Sequence, residues 1–195
     1  MSSVMTKRFT VDDYHRLIEL GFIKEGDRIE LIRGELVQMV AKGTSHSSCN
    51  TRLLYELLPL LGDRAIVRHQ DPVTLPRHSE PEPDFAIVKV RSDRYRSAHP
   101  QPKDILLIIE VSDSTLTYDQ TTKLSVYAEH QIPDYWIVNL VANQLECYSQ
   151  PYRTPSDEYG YRLKQIALPN ETIALPSFED LRLNLAAVLD TQPNQ

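Results

Sequence analysis

The stretch Ile105-Leu-Leu-Ile-Ile-Glu-Val111 decides the fold, because it is apolar without alternation and then carries a single carboxylate. An unbroken apolar run of this length is typical of a strand at the centre of a sheet, covered on both faces. An unpaired glutamate in such a strand is costly to bury. Glu110 is therefore expected to be paired, to lie at the exposed end of the strand, or to bind a cation.

A second carboxylate and a lysine accompany this strand in the sequence. Asp84 follows a proline and opens the apolar run Phe85–Val88, and Lys123 lies early in the helical segment after Glu110. Two carboxylates at the ends of adjacent strands can share a divalent cation, because Mg²⁺ prefers oxygen ligands. A nearby ammonium can orient an attacking water or offset the charge of a phosphate. This combination is typical of a metal-dependent phosphodiesterase.

Simpler structural explanations stay open for these residues. Asp84 is also a common kind of turn residue after a proline. Lys123 stands four residues after Asp119, so the two could form a surface ion pair worth only about 0.3 kcal/mol.

Length and composition indicate an ordinary globular domain. The chain has 195 residues, of which 41% are hydrophobic and 25% charged, as in typical soluble proteins. We predict one domain over residues 1–195, with tails at 1–8 and 190–195. No apolar run reaches the ~20 residues of a membrane helix and no signal peptide is visible, so a cytoplasmic location is expected.

The net charge of −6 argues against a protein whose main task is to coat nucleic acid, since that affinity comes from basic side chains. It does not exclude an enzyme that acts on nucleic acid. Cys49 and Cys147 lack the spacing of a metal site, and reduced thiols are expected although a disulfide between them stays open.

Hydrophobic periodicity and turn residues predict alternating helices and strands in one mixed α/β domain. The predicted helices cover residues 10–21, 47–61, 117–130 and 181–189. The predicted strands cover residues 28–33 and 35–40, which turn at Arg33 and Gly34, and then 65–70, 85–90, 105–111, 135–139, 144–148 and 162–168.

Several motifs taken together resemble the Uma-type restriction endonuclease family of the PD-(D/E)xK nuclease superfamily. The resemblance covers roughly residues 10–190. The motifs that carry it are the hairpin Ile29-Glu-Leu-Ile-Arg-Gly-Glu-Leu-Val37 with His46, then Glu82-Pro-Asp84, Ile109-Glu-Val-Ser-Asp-Ser-Thr115, Asp119, Lys123, Tyr127 and Ile132-Pro-Asp-Tyr-Trp-Ile-Val138.

The resemblance implies a restriction-endonuclease-like fold, in which α-helices flank a mixed central β-sheet. It also implies an enzyme that hydrolyses DNA. It implies Asp84 and Glu110 as ligands of Mg²⁺, with Mn²⁺ as a substitute and the Val111 carbonyl as a third ligand. Lys123 is then the catalytic lysine. The usual order of the superfamily places this lysine two residues after the glutamate, where this chain has Ser112.

Further residues are candidates with alternatives. An N-terminal glutamate often joins the site in the superfamily, and we favour Glu35 over Glu30. His46 is a candidate for contact with metal, water or phosphate, and the alternative is that it only caps a helix. Glu82 is a candidate carboxylate in the outer part of the site. A basic strip in the loop between the two carboxylate-bearing strands is a candidate for phosphate contact, with a plain solvated loop as the alternative; it consists of Arg91, Arg94, Tyr95, Arg96, His99 and Lys103.

Two rival functions remain beside a DNA endonuclease. The first is a catalytically inactive member of the same fold that binds DNA or protein. The second is an enzyme acting on RNA or nucleotides, which ranks lower because no stacking-aromatic RNA motif is present. A nuclease that cuts both strands would be helped by a two-fold homodimer, so DNA and a second copy of the chain are the expected partners.

Overall fold

The structure is a computed structural model that describes residues 6–191, so most of the two predicted tails lies outside the described residues. In chain order, the elements are α1 (Val11–Glu19), β1 (Ile29–Ile32), β2 (Glu35–Gln38), α2 (Thr44–Leu61), β3 (Ile66–His69), β4 (Phe85–Val88), β5 (Ile105–Ser112), α3 (Leu116–Tyr118), a π-helical turn (Asp119–Lys123), α4 (Leu124–Glu129), β6 (Asp134–Asn139), β7 (Gln144–Arg153), β8 (Tyr159–Ala167), β9 (Thr172–Leu175) and β10 (Phe178–Asn184).

Six strands form one mixed sheet in the order β3-β4-β5-β6-β7-β8. The strand β5 lies near its middle, antiparallel to β4 and parallel to β6, and seven of its eight residues are buried. This confirms the prediction of a central strand covered on both faces and the predicted fold class. None of the helices within residues 6–191 has the length and apolar character needed to cross a membrane.

The two faces of the sheet pack against different layers, as the alternation of side chains along a strand requires. One face packs against α2 and β10. The core between them contains Phe85, Ile87, Leu107, Ile109, Trp136 and Val138 from the sheet, Leu53 and Leu57 from α2, and Leu183 from β10. The other face meets α4, and its buried residues include Ala86, Val88, Ile108, Tyr135, Ile137, Val126 and Tyr127. Glu110 has the parity of Ile108, so its side chain belongs to the face that α4 covers.

The N-terminal elements agree with the predicted caps and turns. Thr10 caps α1 through a reciprocal pair of hydrogen bonds with Asp13, a capping box. The β1–β2 hairpin turns at Arg33 and Gly34, which both have positive φ. A Cβ on Gly34 would collide with Arg8, so the close approach of the preceding segment also requires glycine there.

The prediction of a helix over 181–189 is wrong. Residues Phe178–Asn184 form β10, which pairs with β9 in a separate two-stranded sheet, and only a short 3₁₀ turn, Leu185–Ala187, follows. Leu183 and Leu185 are buried while Arg182 and Asn184 are exposed. This period of two is the pattern of a half-buried strand rather than of a helix.

Two predicted helices also differ from the structure, one in where it begins and one in its internal geometry. Helix α2 begins at Thr44, three residues before the predicted start, so His46 lies inside its first turn. The predicted helix 117–130 contains a π-helical turn at Asp119–Lys123. Such turns are rare and are often found at functional sites. Cys49 and Cys147 are free thiols, as predicted.

The assignment of β10 predicts which leucine near the C-terminus supports the core. Leu183 is 1% exposed, so Leu183→Ala should lower the free energy of unfolding by about 3 kcal/mol through lost burial and a residual cavity. The matched control is Leu168→Ala, because Leu168 is 49% exposed and should cost less than about 0.5 kcal/mol. Urea denaturation of both variants measures the difference, and equal costs would contradict the assignment.

Candidate active site

The register of β4 and β5 brings Asp84 and Glu110 together. Phe85 pairs with Ile109 and Ala86 with Ile108, and continuing this register by one residue sets Asp84 opposite Glu110. Directly opposite residues of antiparallel strands point to the same face, with Cβ atoms ~4.5–5.5 Å apart. Both side chains are nevertheless buried, at 6% and 4% exposure.

Backbone amides donate hydrogen bonds to both carboxylates across the strand pair. The Val111 amide donates to Asp84 Oδ2 at 2.9 Å, and the Asp84 amide donates to Glu110 Oε2 at 3.3 Å. Each carboxylate therefore accepts an amide from the strand of the other, which fixes their relative position.

Asp84 sits among hydrogen-bond donors. His46 Nε2 lies 3.0 Å from Oδ2, and Asn50 Nδ2 and Gln70 Nε2 donate to Oδ1 at 3.0 and 3.2 Å. Lys42 Nζ is 3.7 Å from the same oxygen. Burial alone would raise the pKa of Asp84, but the donors, above all His46, hold the pKa well below its usual range. Asp84 is therefore ionised at neutral pH.

At Glu110 the effect of burial on the pKa outweighs that of the neighbouring donors. Its Oε1 accepts hydrogen bonds from Lys123 Nζ at 3.0 Å and from Tyr127 Oη at 2.8 Å. Complete burial raises the pKa of Glu110 to about 8, against the attraction of Lys123 and with added repulsion from Asp119 and Asp84. Carboxylates that titrate at different pH within one site are a common feature of active sites.

Lys123 is a buried lysine that points to the carboxylates. Its side chain is 8% exposed and also lies 3.5 Å from Glu30 Oε2. Burial would lower the pKa of Lys123, but Glu110, Glu30 and Asp119 raise it well above its usual value, so the ammonium stays charged. Asp119 instead accepts hydrogen bonds from Ser112 and Thr115, each at 2.7 Å.

These groups border one cavity of about 350 Å³. Its lining combines six carboxylates with three lysine or arginine side chains, which are Glu30, Glu82, Asp84, Glu110, Asp113 and Asp119 against Arg28, Lys42 and Lys123. Among residues 6–191, no three His, Cys, Asp or Glu side chains converge as a complete metal site. A cation bound here would need a main-chain or water ligand beside the two central carboxylates.

Comparison with known proteins assigns the chain to a family. A family model named Uma2 and described as "Putative restriction endonuclease" matches residues 11–186. The chain belongs to the Uma2 family. The resemblance drawn from its motifs is therefore confirmed. No curated protein matches the sequence.

The fold has a counterpart among solved structures. The crystal structure of a "putative nuclease belonging to DUF820" from Anabaena variabilis ATCC 29413 aligns with a TM-score of 0.65 at 15% identity. The alignment covers 92% of this Uma2 chain and 97% of the other. At this identity the likeness shows a shared fold.

Glu35 does not join the site, and this expectation is corrected. Glu35 lies next to the hairpin turn, its side chain is 68% exposed, and it pairs with Arg8. Glu30 lies two residue pairs further along the ladder, about 7 Å away, and there it contacts Lys123 and accepts the Glu82 amide at 3.2 Å. Position along the hairpin, rather than the face of the strand, separates the two glutamates.

The basic strip also lies away from the site. It follows Val88 and precedes Ile105, whereas Asp84 precedes β4 and Glu110 lies near the end of β5. The four-residue strand β4 therefore separates the strip from the carboxylates by about 13 Å. Its residues do not line the cavity, which favours the alternative of a solvated loop over phosphate contact at this site.

Some site residues gave little or no signal in the sequence. Lys42 belongs to an irregular segment, and Gln70 reaches Asp84 only because β3 pairs with β4. Asn50 is four residues after His46 on α2, a spacing that a correct helix start would have revealed. Tyr118 also lines the cavity, and its buried hydroxyl has no hydrogen-bond partner within residues 6–191.

The raised pKa of Glu110 predicts how stability depends on pH when a chelator removes divalent cations. The folded state holds the Glu110 proton up to about pH 8, whereas the unfolded chain releases it near pH 4.5. The contribution of the Glu110 proton to the free energy of unfolding is therefore fully present below about pH 4.5 and is lost as the pH rises through about 8. The total loss is on the order of 5 kcal/mol.

Glu110→Gln should flatten this pH dependence, because the amide does not titrate. Urea denaturation at several pH values measures the slope of the unfolding free energy against pH. The matched control is Glu35→Gln on the exposed hairpin, which should keep the wild-type slope. A Glu110→Gln variant with the same slope as wild type would show that Glu110 is ionised throughout.

Proposed function

We propose that this protein is a metal-dependent endonuclease that hydrolyses DNA phosphodiester bonds. One observation carries the proposal: Asp84 and Glu110 lie opposite each other on adjacent strands, and Lys123 contacts Glu110 inside the same cavity. Paired carboxylates with a buried ammonium are suited to the charge that develops in phosphoryl transfer. The family description and the nuclease of similar fold support this reaction class.

The residues present fit a hard divalent cation such as Mg²⁺ or Mn²⁺. The lining has twice as many carboxylates as basic side chains, so a divalent cation would offset the excess of carboxylates and favour their ionised form. Asp84 and Glu110 would hold it through carboxylate oxygens, with the Val111 carbonyl as a third ligand. When bound, the cation would polarise the scissile phosphate and lower the pKa of an attacking water.

The remaining side chains of the site orient and supply charge. His46, Asn50 and Gln70 hold Asp84 ionised and in a fixed position. Lys123 keeps its ammonium in a buried environment, where it stabilises negative charge on the phosphate more strongly than it would in water. This mechanism needs no covalent intermediate with the protein.

Metal binding predicts a thermal shift that depends on Asp84. Mn²⁺ at 100 times its Kd should raise the free energy of unfolding by about 2.7 kcal/mol, since the ion binds only the folded state. This corresponds to roughly 5–10 °C in Tm for a chain of this size. Asp84→Asn should abolish most of the shift, as measured by differential scanning fluorimetry.

The matched control for metal binding is Asp63→Asn. Asp63 is exposed just beyond the opposite end of α2 from His46, and this variant should keep the full shift. A shift that is absent in wild type up to millimolar Mn²⁺, or equally large in Asp84→Asn, would contradict a cation at this position.

The role of Lys123 predicts a loss of turnover in Lys123→Met. Removing a group that stabilises charge mainly in the transition state should lower kcat by about 100-fold and leave the KM for DNA within a few-fold. Lys123→Arg should restore little, because a planar guanidinium does not replace a compact ammonium. Cleavage of labelled DNA with Mn²⁺ measures both constants.

The matched control for turnover is Lys103→Met, which removes an exposed lysine at the far end of β5 and should leave kcat unchanged. Equal cleavage by wild type and Lys123→Met would show that the lysine only neutralises Glu110 and Glu30. Wild-type protein that binds DNA but cuts none with either cation would favour the binding module instead.

A further inference from the structure

The two central carboxylates lie at the buried end of a small cavity that is partly open to solvent. Its volume of about 350 Å³ is near the lower end of the ~300–1,000 Å³ range of small-ligand pockets. The floor residues Glu30, Asp84, Glu110 and Lys123 are each between 3% and 7% exposed. A phosphate must therefore enter the cavity to reach them.

The wall beside this charged floor is mostly apolar, although Gln38 and Lys42 from the same segment also line the cavity. It is formed by the end of β2 and the irregular segment after it, and its apolar members are Val37, Met39, Val40 and Ala41. Val40 is 56% exposed although it lines the cavity, so the apolar surface extends to the entrance. The cavity thus presents charge at its floor and apolar surface at one side, which are the two chemistries of a nucleotide.

We propose that the cavity binds one unpaired nucleotide of a nucleic-acid strand, with its phosphate on the floor and its base or sugar against the apolar wall. This inference rests on the proposed function and names its substrate class. Single strands, overhangs and unpaired ends are then cleaved in preference to intact duplex.

Duplex DNA fits this cavity poorly in both size and charge. A base-paired nucleotide is held in the stack, so it cannot place its base or sugar against the wall of a cavity of about 350 Å³ unless it is extruded from the duplex. A duplex also carries one negative charge per ~1.7 Å of its axis, and the lining has an excess of carboxylates. A nucleotide within a duplex must first be unpaired and unstacked, and a single strand avoids most of that cost.

Spare donors in the lining are available to a nucleotide. The Tyr118 hydroxyl is buried without a partner within residues 6–191, and burial beside Glu30 raises its pKa to about 12, so it keeps its proton to donate. Lys42 contacts Asp84 from a side chain that is 25% exposed. Arg28 also lines the cavity. These groups can donate to phosphate or sugar oxygens.

Cleavage of one labelled DNA sequence in three forms tests the inference. Wild-type protein with Mn²⁺ is given the sequence as a single strand, as a blunt duplex, and as a duplex with a single-stranded overhang. The single strand and the overhang should be cut at least about 10-fold faster than the blunt duplex. Equal rates on all three forms would overturn the inference and leave the proposed nuclease function intact.

Binding gives a second readout that does not depend on cleavage. Fluorescence anisotropy of a fluorescein-labelled oligothymidylate strand, with Mn²⁺ and a Lys123→Met background, measures its Kd. Val40→Asp at the entrance should weaken binding about 10-fold. The matched control is Val90→Asp, because Val90 is similarly exposed at 58% but follows the opposite end of β4, and it should change Kd little.

The two readouts separate the inference from the proposed function. If no form is cleaved, the proposed function fails, and the anisotropy alone decides the inference: loss of binding in Val40→Asp supports it. Equal Kd values for Val40→Asp and Val90→Asp, or tighter binding of the duplex than of the single strand, would overturn it.

Discussion

The pairing of β4 with β5 is the constraint on which the site depends. Its register sets Asp84 opposite Glu110. The amide of Val111 donates to the Asp84 carboxylate and the amide of Asp84 donates to the Glu110 carboxylate, and these two hydrogen bonds hold the pair in place. The remaining contacts are arranged around this pair: α2 brings donors to Asp84, and the helical segment after β5 brings Lys123 and Tyr127 to Glu110. A slip of one residue would turn one carboxylate to the opposite face of the sheet.

The two carboxylates differ electrostatically because different elements surround them. Asp84 accepts hydrogen bonds from four donors and stays ionised, whereas Glu110 is fully buried and its pKa is raised despite Lys123. A buried lysine that contacts two glutamates is stable only when those partners are held close, since an unpaired buried charge costs several kcal/mol. The cluster therefore combines a structural role with the chemistry proposed for it.

The position of the lysine has a structural explanation in this chain. The residue two places after Glu110 is Ser112 rather than a lysine, and its hydroxyl donates to Asp119. That bond and the one from Thr115 both reach Asp119 Oδ2, so Asp119 is held in place by hydroxyl groups rather than by Lys123. The π-helical turn Asp119–Lys123 then delivers the ammonium to the floor of the cavity from the helix.

From the sequence alone, local periodicity predicts the six strands of the main sheet and the β1–β2 hairpin, but not β9 and β10. The positions of Asp84 and Glu110 beside apolar runs, with the cost of burying Glu110, predict the two central carboxylates. The choice between Glu30 and Glu35 depends on tertiary packing, since both lie on one hairpin and differ in distance from the site. Packing against α2 likewise made 178–184 a strand. Lys42 and Gln70 reach Asp84 from distant parts of the chain, and such contacts depend on the tertiary fold rather than on any local pattern.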